Sequence, residues 1–351
     1  MPKVFRNSTN RSYEDIVPRD EPIPKAGWGQ AVIEVKAVSL NYRDLVMSGS
    51  ANPLGAKKDL VPFSDASGVV VEVGEGVEDV QVGDHVVAVF DQSFLYGQRK
   101  DWTHSYGGAI DGFLREYADV PASSLVKIPK DSPLTWAQWA CLPCAGVTAW
   151  NALYGLVPLR SAQTVLLEGT GGVSIIGLLL AKAAGARTII TSSSDEKVKI
   201  AKEKYGADHT INYNTYPNWG EKVLELTDGR GVDFVFENGG VGTIQQSISC
   251  AKTGSGVVAL IGVLSGIHHE QMPNMIVQAV MQACVLRGIY VGPKIMLEDL
   301  VEVVSAHNIP MPVSDTFEFA QEGVLAAFRH LKDGKHIGKI CIDVDRKSDD
   351  V

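Results

Sequence analysis

The sequence predicts an α/β protein of two domains: a small β-barrel-like domain, then a doubly wound parallel sheet, with the C-terminal segment returning to the first. Three observations predict it. Short β-rich runs broken by Gly and Pro extend to about residue 130, strand and helix alternate from about Leu134, and a glycine-rich strand-to-helix turn lies near the middle of the chain.

The first domain is read at residues 1–133. Runs 30–38, 69–73 and 85–89 carry strand formers, and Gly74-Glu75-Gly76 and Val82-Gly83-Asp84 punctuate them. A polar, aromatic-rich stretch at 91–111 has no periodicity and reads as a surface loop beside a substrate cleft. The second domain is read at 134–298, with candidate strands 164–168, 188–192, 234–237 and 257–261. Their almost continuous apolar character suits strands buried on both faces. From about Asp299, a helix at 322–332 and a last strand at 339–344 are expected to complete the first domain.

Composition narrows the function. With 45% hydrophobic and 21% charged residues over 351 positions, the chain is globular and neither disordered nor fibrous. A formal charge of -9 without a Lys/Arg cluster disfavours nucleic acid and anionic membrane, so a small-molecule partner is expected. The N-terminus lacks the apolar core of a signal peptide, and no apolar run approaches the roughly 20 residues that cross a bilayer, so a cytoplasmic protein is expected. Five cysteines, an odd number and mostly widely spaced, do not form a disulfide framework. Cys141 and Cys144 make a CxxC pair without two further nearby ligands and read as packed thiols.

The central turn carries the chemistry. Thr164-Val165-Leu166-Leu167-Glu168 runs into Gly169-Thr170-Gly171-Gly172-Val173-Ser174 and then into an apolar helix at 175–184. Glycine is needed where the turn is tight and where backbone N–H groups approach a pyrophosphate, and Gly169 and Gly171 meet those two needs. The third position holds Ser174, so the pattern is GxGxxS, and close packing of helix on strand must tolerate a hydroxyl there. Flanked by strand and helix, the turn reads as a dinucleotide site, with Thr170, Gly172 and Val173 lining it.

Where NAD-binding folds place an acid after the second strand, this chain has Thr191-Ser192-Ser193-Ser194 and then Lys197. Hydroxyls at Ser192 and Ser193 and a cation one turn on suit the 2′-phosphate of NADP(H). The same serines are also candidates to cap the next helix, Ser193 or Ser194 as N-cap with Asp195 and Glu196 in its first turn.

From residues 31 to 343 the chain resembles the medium-chain dehydrogenase/reductase superfamily. The segments that carry the resemblance are Asn41-Tyr42-Arg43-Asp44-Leu45, Gly68 with Val73-Gly74-Glu75-Gly76-Val77, Val82-Gly83-Asp84, Leu142-Pro143-Cys144-Ala145-Gly146-Val147-Thr148-Ala149-Trp150, and the turn at Gly169. It implies a GroES-like β-barrel catalytic domain joined to a Rossmann doubly wound sheet. It also implies cofactor contacts at Thr148, Lys197, Tyr213, Gly262, Val263, Tyr290 and Val291, and a homodimer paired through the sheet-edge segment at 284–290. His268 and His269 read as surface residues.

In zinc-dependent relatives the catalytic metal is held at positions that here are Asn41, Ser64 and Cys144. One thiolate with an amide and a hydroxyl is a poor donor set for zinc, and residues 91–111 hold no cysteine for a structural site, so no metal is expected. Without a Lewis acid, charge developing on a substrate oxygen must meet hydrogen-bond donors. Tyr42, in the segment facing the nicotinamide in the resemblance, is the first candidate, with Asn41 and Ser64 as further donors and Arg43 and Asp44 as a local pair or turn cap.

The expected activity is zinc-independent hydride transfer from NADPH to an enone, quinone or related activated carbonyl compound, as the alcohol dehydrogenase-like and quinone oxidoreductase-like branches imply. Interconversion of an alcohol with a ketone or aldehyde is the alternative. A catalytically silent NADPH-binding protein, in which Tyr42 only packs, is the reading from another class.

Overall fold

One compact unit comprises Met1–Val147 with Val291–Val351, and the other Thr148–Tyr290. The computed structural model describes residues 1–49, 55–266, 270 and 272–344; His268 and His269 lie outside them.

In the first unit the chain forms β1 (Lys3–Asn7) and β2 (Ile16–Asp20), then β3 (Gln30–Ser39), the short helix α1 (Tyr42–Met47), β4 (Asp65–Val73), β5 (His85–Ala88), β6 (Tyr117–Pro121) and β7 (Leu125–Lys127). Strand β3 organises the sheet. One edge pairs with β4 along its length, with two register shifts that bend the ladder. Its other edge is divided: β6 takes Gln30–Glu34, and the last strand of the chain takes Ala37–Ser39. A strand shared in this way curls the sheet around an apolar core that includes Phe5, Ile33, Phe63 and Phe113. The loop 91–111 has no helix or strand, only isolated bridges such as Asp91 to Ser105.

Helix α2 (Trp136–Trp139) follows, and α3 (Val147–Tyr154) carries the chain into the second unit. That unit alternates strand and helix: β8 (Thr164–Leu167), α4 (Gly172–Ala183), β9 (Arg187–Ser192), α5 (Asp195–Glu203), β10 (His209–Asn212), α6 (Trp219–Leu226), β11 (Phe234–Glu237), α7 (Ile244–Cys250), β12 (Val257–Leu260), α8 (Met275–Gln282) and β13 (Val285–Gly288). The order across the sheet is β10-β9-β8-β11-β12-β13, and all pairs are parallel. Strand order therefore reverses between β8 and β11, where a doubly wound sheet opens its ligand crevice. Ile189, Leu166, Val235, Val258 and Leu286 stand side by side across five strands. The first four of them are buried beneath α6 and α7 through Val223, Ile244 and Ile248.

Back in the first unit, α9 (Lys294–His307), β14 (Val313–Glu318), α10 (Gln321–Asp333) and β15 (Lys339–Asp343) complete the sheet, and Phe328 of α10 enters its core. The unit boundaries fall at 147/148 and 290/291, not at 133/134 and 298/299. Helical rhythm begins earlier than the second unit because α2 packs on β3, β4, β14 and β15. At the other end α9 packs on β7 and on the turn Leu142–Gly146, which returns it to the first unit. A change of rhythm reports the type of element and not the sheet it covers. Among the described residues no helix is long and apolar enough to cross a membrane.

Candidate active site

In the first unit, the end of β3 and the start of β4 bring Asn41, Ser64 and Asp65 together. Asn41 precedes α1, and the buried Asp44 carboxylate accepts its backbone N–H at 2.7 Å, the reverse half of a capping box. Burial pushes the Asp44 carboxyl up to about 6, with the Arg43 guanidinium acting against the rise. Arg43 also lies over the Phe90 ring at 4.6 Å and donates to the Tyr106 carbonyl at 2.9 Å, tying α1 to the loop at 91–111. The pairing expected for Arg43 and Asp44 is thus present, at 3.8 Å. Tyr42, the first residue of α1, is 55% exposed.

Phe63 delivers the second strand of this centre. It is fully buried and left-handed at φ 71°, a strained conformation for a bulky residue. Gly107 and Gly112 allow it: a Cβ on Gly112 would lie 1.9 Å from the Phe63 oxygen, and one on Gly107 would meet the Phe63 backbone at 2.6 Å. Ser64 and Asp65 follow, both wholly buried. Asp65 accepts from Ser64 Oγ at 2.7 Å, Asn41 Nδ2 at 2.9 Å and the Cys144 N–H at 3.3 Å. Lys339, 3% exposed, donates from Nζ to the Leu40 carbonyl at 2.5 Å and to Asn41 Oδ1 at 2.6 Å, with Asp65 Oδ2 3.8 Å away. Burial pushes the Asp65 carboxyl up, and the Lys339 ammonium opposes that most strongly.

In the second unit, the glycine turn follows β8. Gly169 is left-handed at φ 73°, and neither it nor Gly171 has any atom within 4 Å of the place a Cβ would take. Gly171 is the N-cap of α4. Open backbone at a helix N-terminus fits the pyrophosphate of a dinucleotide. Thr170 is buried, while Gly172 and Val173 are half-buried at the head of α4. Ser174 is buried, donates to the Glu168 carbonyl at 2.7 Å and accepts from Asn238 Nδ2 at 3.1 Å, so its hydroxyl is satisfied. Close helix packing falls one turn later: a Cβ on Gly177 would stand 2.6 Å from the Phe236 ring and 2.9 Å from Leu167.

At the end of β9 Ser192 is buried and Ser193 is exposed. Ser194 caps α5, its side chain accepting from the Lys197 N–H at 3.3 Å. Lys197 is half-buried one turn on, its pKa lowered by burial. Tyr213 is exposed, and its N–H donates to the Ser192 carbonyl at 3.0 Å, so these residues share one strand end. Gly262 packs against the backbone of Asn238, where a Cβ would meet the carbonyl oxygen at 2.8 Å, and Val263 beside it is exposed. Thr148 is buried in α3, and Tyr290 and Val291 span the junction of the units, Val291 left-handed at φ 48°.

The alcohol dehydrogenase GroES-like domain family matches residues 27–130, and the zinc-binding dehydrogenase family matches 172–306. A zinc-type alcohol dehydrogenase-like protein of Schizosaccharomyces pombe is 40% identical over 339 residues, covering 95% of this chain and 96% of its own. The chain belongs to the medium-chain dehydrogenase/reductase superfamily. It is an oxidoreductase of that superfamily, with a GroES-like domain and a Rossmann parallel sheet. A crystal structure of a putative alcohol dehydrogenase from Sinorhizobium meliloti aligns with a TM-score of 0.88 at 36% identity, over 98% of this chain and 99% of that one. A 2-haloacrylate reductase of Burkholderia is 32% identical over 258 residues, 72% of this chain and 71% of its own.

Zinc, which the second family's description implies for this medium-chain enzyme, does not fit the residues at Asn41, Ser64 and Cys144. Asn41 Oδ1 already faces an ammonium at 2.6 Å, and Ser64 commits its only hydroxyl proton to Asp65. Burial pushes the Cys144 thiol far above its usual value, disfavouring the thiolate a zinc ion needs.

One correction follows from the same geometry. Ser64 has no proton left for a substrate and is fully buried, so it is not a third donor. Cys141 and Cys144 are both free thiols, and the buried Cys141 has the buried Cys341 as a neighbour, with the sulfurs 3.9 Å apart. Lys339 and Asp65 are absent from the sequence reading; the available signal was a single cation heading the apolar run Ile340-Cys341-Ile342.

Proposed function

We propose that the chain is a zinc-independent NADPH-dependent reductase acting on an activated carbon–carbon double bond or a quinone. The carrying observation is the set of hydrogen bonds around Asn41: its amide is oriented by Lys339 and Asp65, and the next residue in the chain, Tyr42, is exposed. When bound, the nicotinamide supplies a hydride. In the proposed reaction Tyr42 and the second Asn41 N–H would donate to the oxygen on which negative charge collects, and Tyr42 would give it a proton, regained from solvent.

Gly169, Gly171 and the head of α4 are the residues to hold the pyrophosphate, and Ser193 with Lys197 the 2′-phosphate. Similarity to a protein named 2-haloacrylate reductase supports an electron-poor double bond as substrate. The relative named for alcohol dehydrogenase keeps carbonyl reduction as the second reading, because the same donors serve a ketone oxygen.

The test is NADPH oxidation against a panel of quinones, enones, 2-haloacrylate, aldehydes and ketones, with and without chelator. Turnover of quinone or enone that survives chelation is the expected result. Turnover confined to aldehydes and ketones supports the second reading, and loss of activity in chelator removes the metal-free one.

A further inference from the structure

Lys339 is a buried cation whose charge lies against the Asn41 amide and the Asp65 carboxylate. An ammonium has three protons and no lone pair. Here two of them go to the Leu40 carbonyl and Asn41 Oδ1, and Asp65 Oδ2 lies 3.8 Å away as the nearest opposite charge. Asp65 offers only lone pairs when ionised, and three donors converge on it. Between a pure donor and a pure acceptor the Asn41 amide has one stable orientation: Oδ1 toward Lys339 and Nδ2 toward Asp65. Flipping it would set two donors against each other, and two acceptors likewise. One Nδ2 proton is held by Asp65, and the other is fixed in direction on the residue before Tyr42. A divalent cation at Asn41 Oδ1 would share a water-poor site with the ammonium already bonded to that oxygen, where repulsion is weakly screened.

We propose that Lys339 stands in the place of a catalytic metal ion: it is a positioning residue that supplies the fixed positive charge of the centre, orients the Asn41 amide as a donor to the substrate oxygen, and excludes divalent cations. The role of Asn41 rests on the functional reading above; the exclusion of metal does not.

The test compares the wild type with Lys339→Met and with Lys339→Met/Asp65→Asn, in which both charges are removed so that neither is buried alone. Zinc chloride is titrated calorimetrically, melting temperature and NADPH affinity are measured, and kcat and KM are taken on the best substrate of the panel. Hydrogen exchange of the Asn41 side-chain amide is followed in protein labelled with 15N-asparagine. The wild type is expected to take up no zinc. The double variant should fold and bind NADPH as the wild type does, but lose about tenfold or more in kcat with KM changed less than about twofold, and exchange the Asn41 amide about tenfold faster. Stoichiometric zinc uptake by the wild type, undiminished kcat in the double variant, or an unchanged amide exchange rate overturns the proposal. Should the wild type turn over no substrate, the functional reading fails, while zinc titration and amide exchange still decide the role of Lys339.

Discussion

Glu237 ends β11 and Glu168 directly follows its parallel neighbour β8, and their carboxylates meet over one hydroxyl, that of Ser247, which is hydrogen-bonded to Glu168 Oε1 and to Glu237 Oε2. Both acids are buried. The remaining oxygens organise the loop after β11: Glu237 Oε1 accepts from the N–H groups of Gly239 and Gly240 at 2.9 and 2.7 Å, and Glu168 Oε2 from that of Asn238 at 3.2 Å. The pair thus lies under the loops of the strand-order reversal, beside the glycine turn.

Burial and the neighbouring Glu237 charge raise the Glu168 carboxyl well above its usual value. The native state therefore holds a proton that the unfolded chain has released above roughly pH 4.3, and stability falls as pH rises from there through the folded value. Glu168→Gln keeps the shape and carries no charge at any pH. The variant is expected to be the more stable at pH 8, with the gap closing toward pH 4; each tenfold change in proton affinity is worth about 1.4 kcal/mol. Urea unfolding at both pH values checks this, and parallel curves for the two proteins would count against it.

Gly171 separates folding from ligand binding. Its φ of -76° is ordinary for alanine, and nothing lies within 4 Å of the added methyl. Gly171→Ala should change the melting temperature little, the gain of about 0.4–1 kcal/mol from a stiffer unfolded chain being offset by alanine's poorer N-cap. The methyl fills the space kept for a pyrophosphate, so NADPH affinity should drop tenfold or more by fluorescence titration. Full affinity would mean the turn holds no phosphate.

Ser193 tests the choice of nucleotide. It is exposed at the end of β9, where an acid would favour a ribose hydroxyl and repel a 2′-phosphate. NADPH should bind the wild type more tightly than NADH, and Ser193→Asp should cut that preference about tenfold or more. Equal dissociation constants for the two nucleotides in the wild type would remove the basis for the assignment.

How much was legible followed from how local each signal was. The glycine turn and the parallel strands of the second unit could be read because a tight turn and a strand buried on both faces each impose a pattern on adjacent residues. Lys339 and Asp65 lie 274 positions apart along the chain and meet only because β15 and β4 flank β3; no spacing rule connects them. Gly177 escaped for a similar reason: its need for a bare Cα comes from the ring of Phe236 on another strand. The expected Ser64 donor illustrates the converse, since residue type was right for the chemistry but the hydroxyl proton belongs to the next residue in the chain.

Tyr42 carries the proton in the proposed reaction and makes little demand on the fold, being exposed at the start of α1. Tyr42→Phe should lower kcat by about a hundredfold, within the range for a general acid, and leave NADPH binding and melting temperature alone. Unchanged turnover would return the phenol to a packing role and leave Asn41 as the donor.

The edge of the parallel sheet argues for self-association. Strand β13 pairs with β12 on one side, and Val285 on it is 40% exposed. Helix α8 beside it has no buried residue and presents Ile276, Val280 and Met281 at 72–79% exposure. An unprotected edge with apolar neighbours invites a strand from another chain, and a two-fold axis at β13 would pair the edge with its own copy and cover both patches at once. We therefore expect a dimer by light scattering in the micromolar range. Met281→Glu with Val280→Glu should shift it to monomer, with secondary structure by circular dichroism retained. A wild type that is monomeric at these concentrations, or a doubly charged variant that stays dimeric, would place the contact elsewhere.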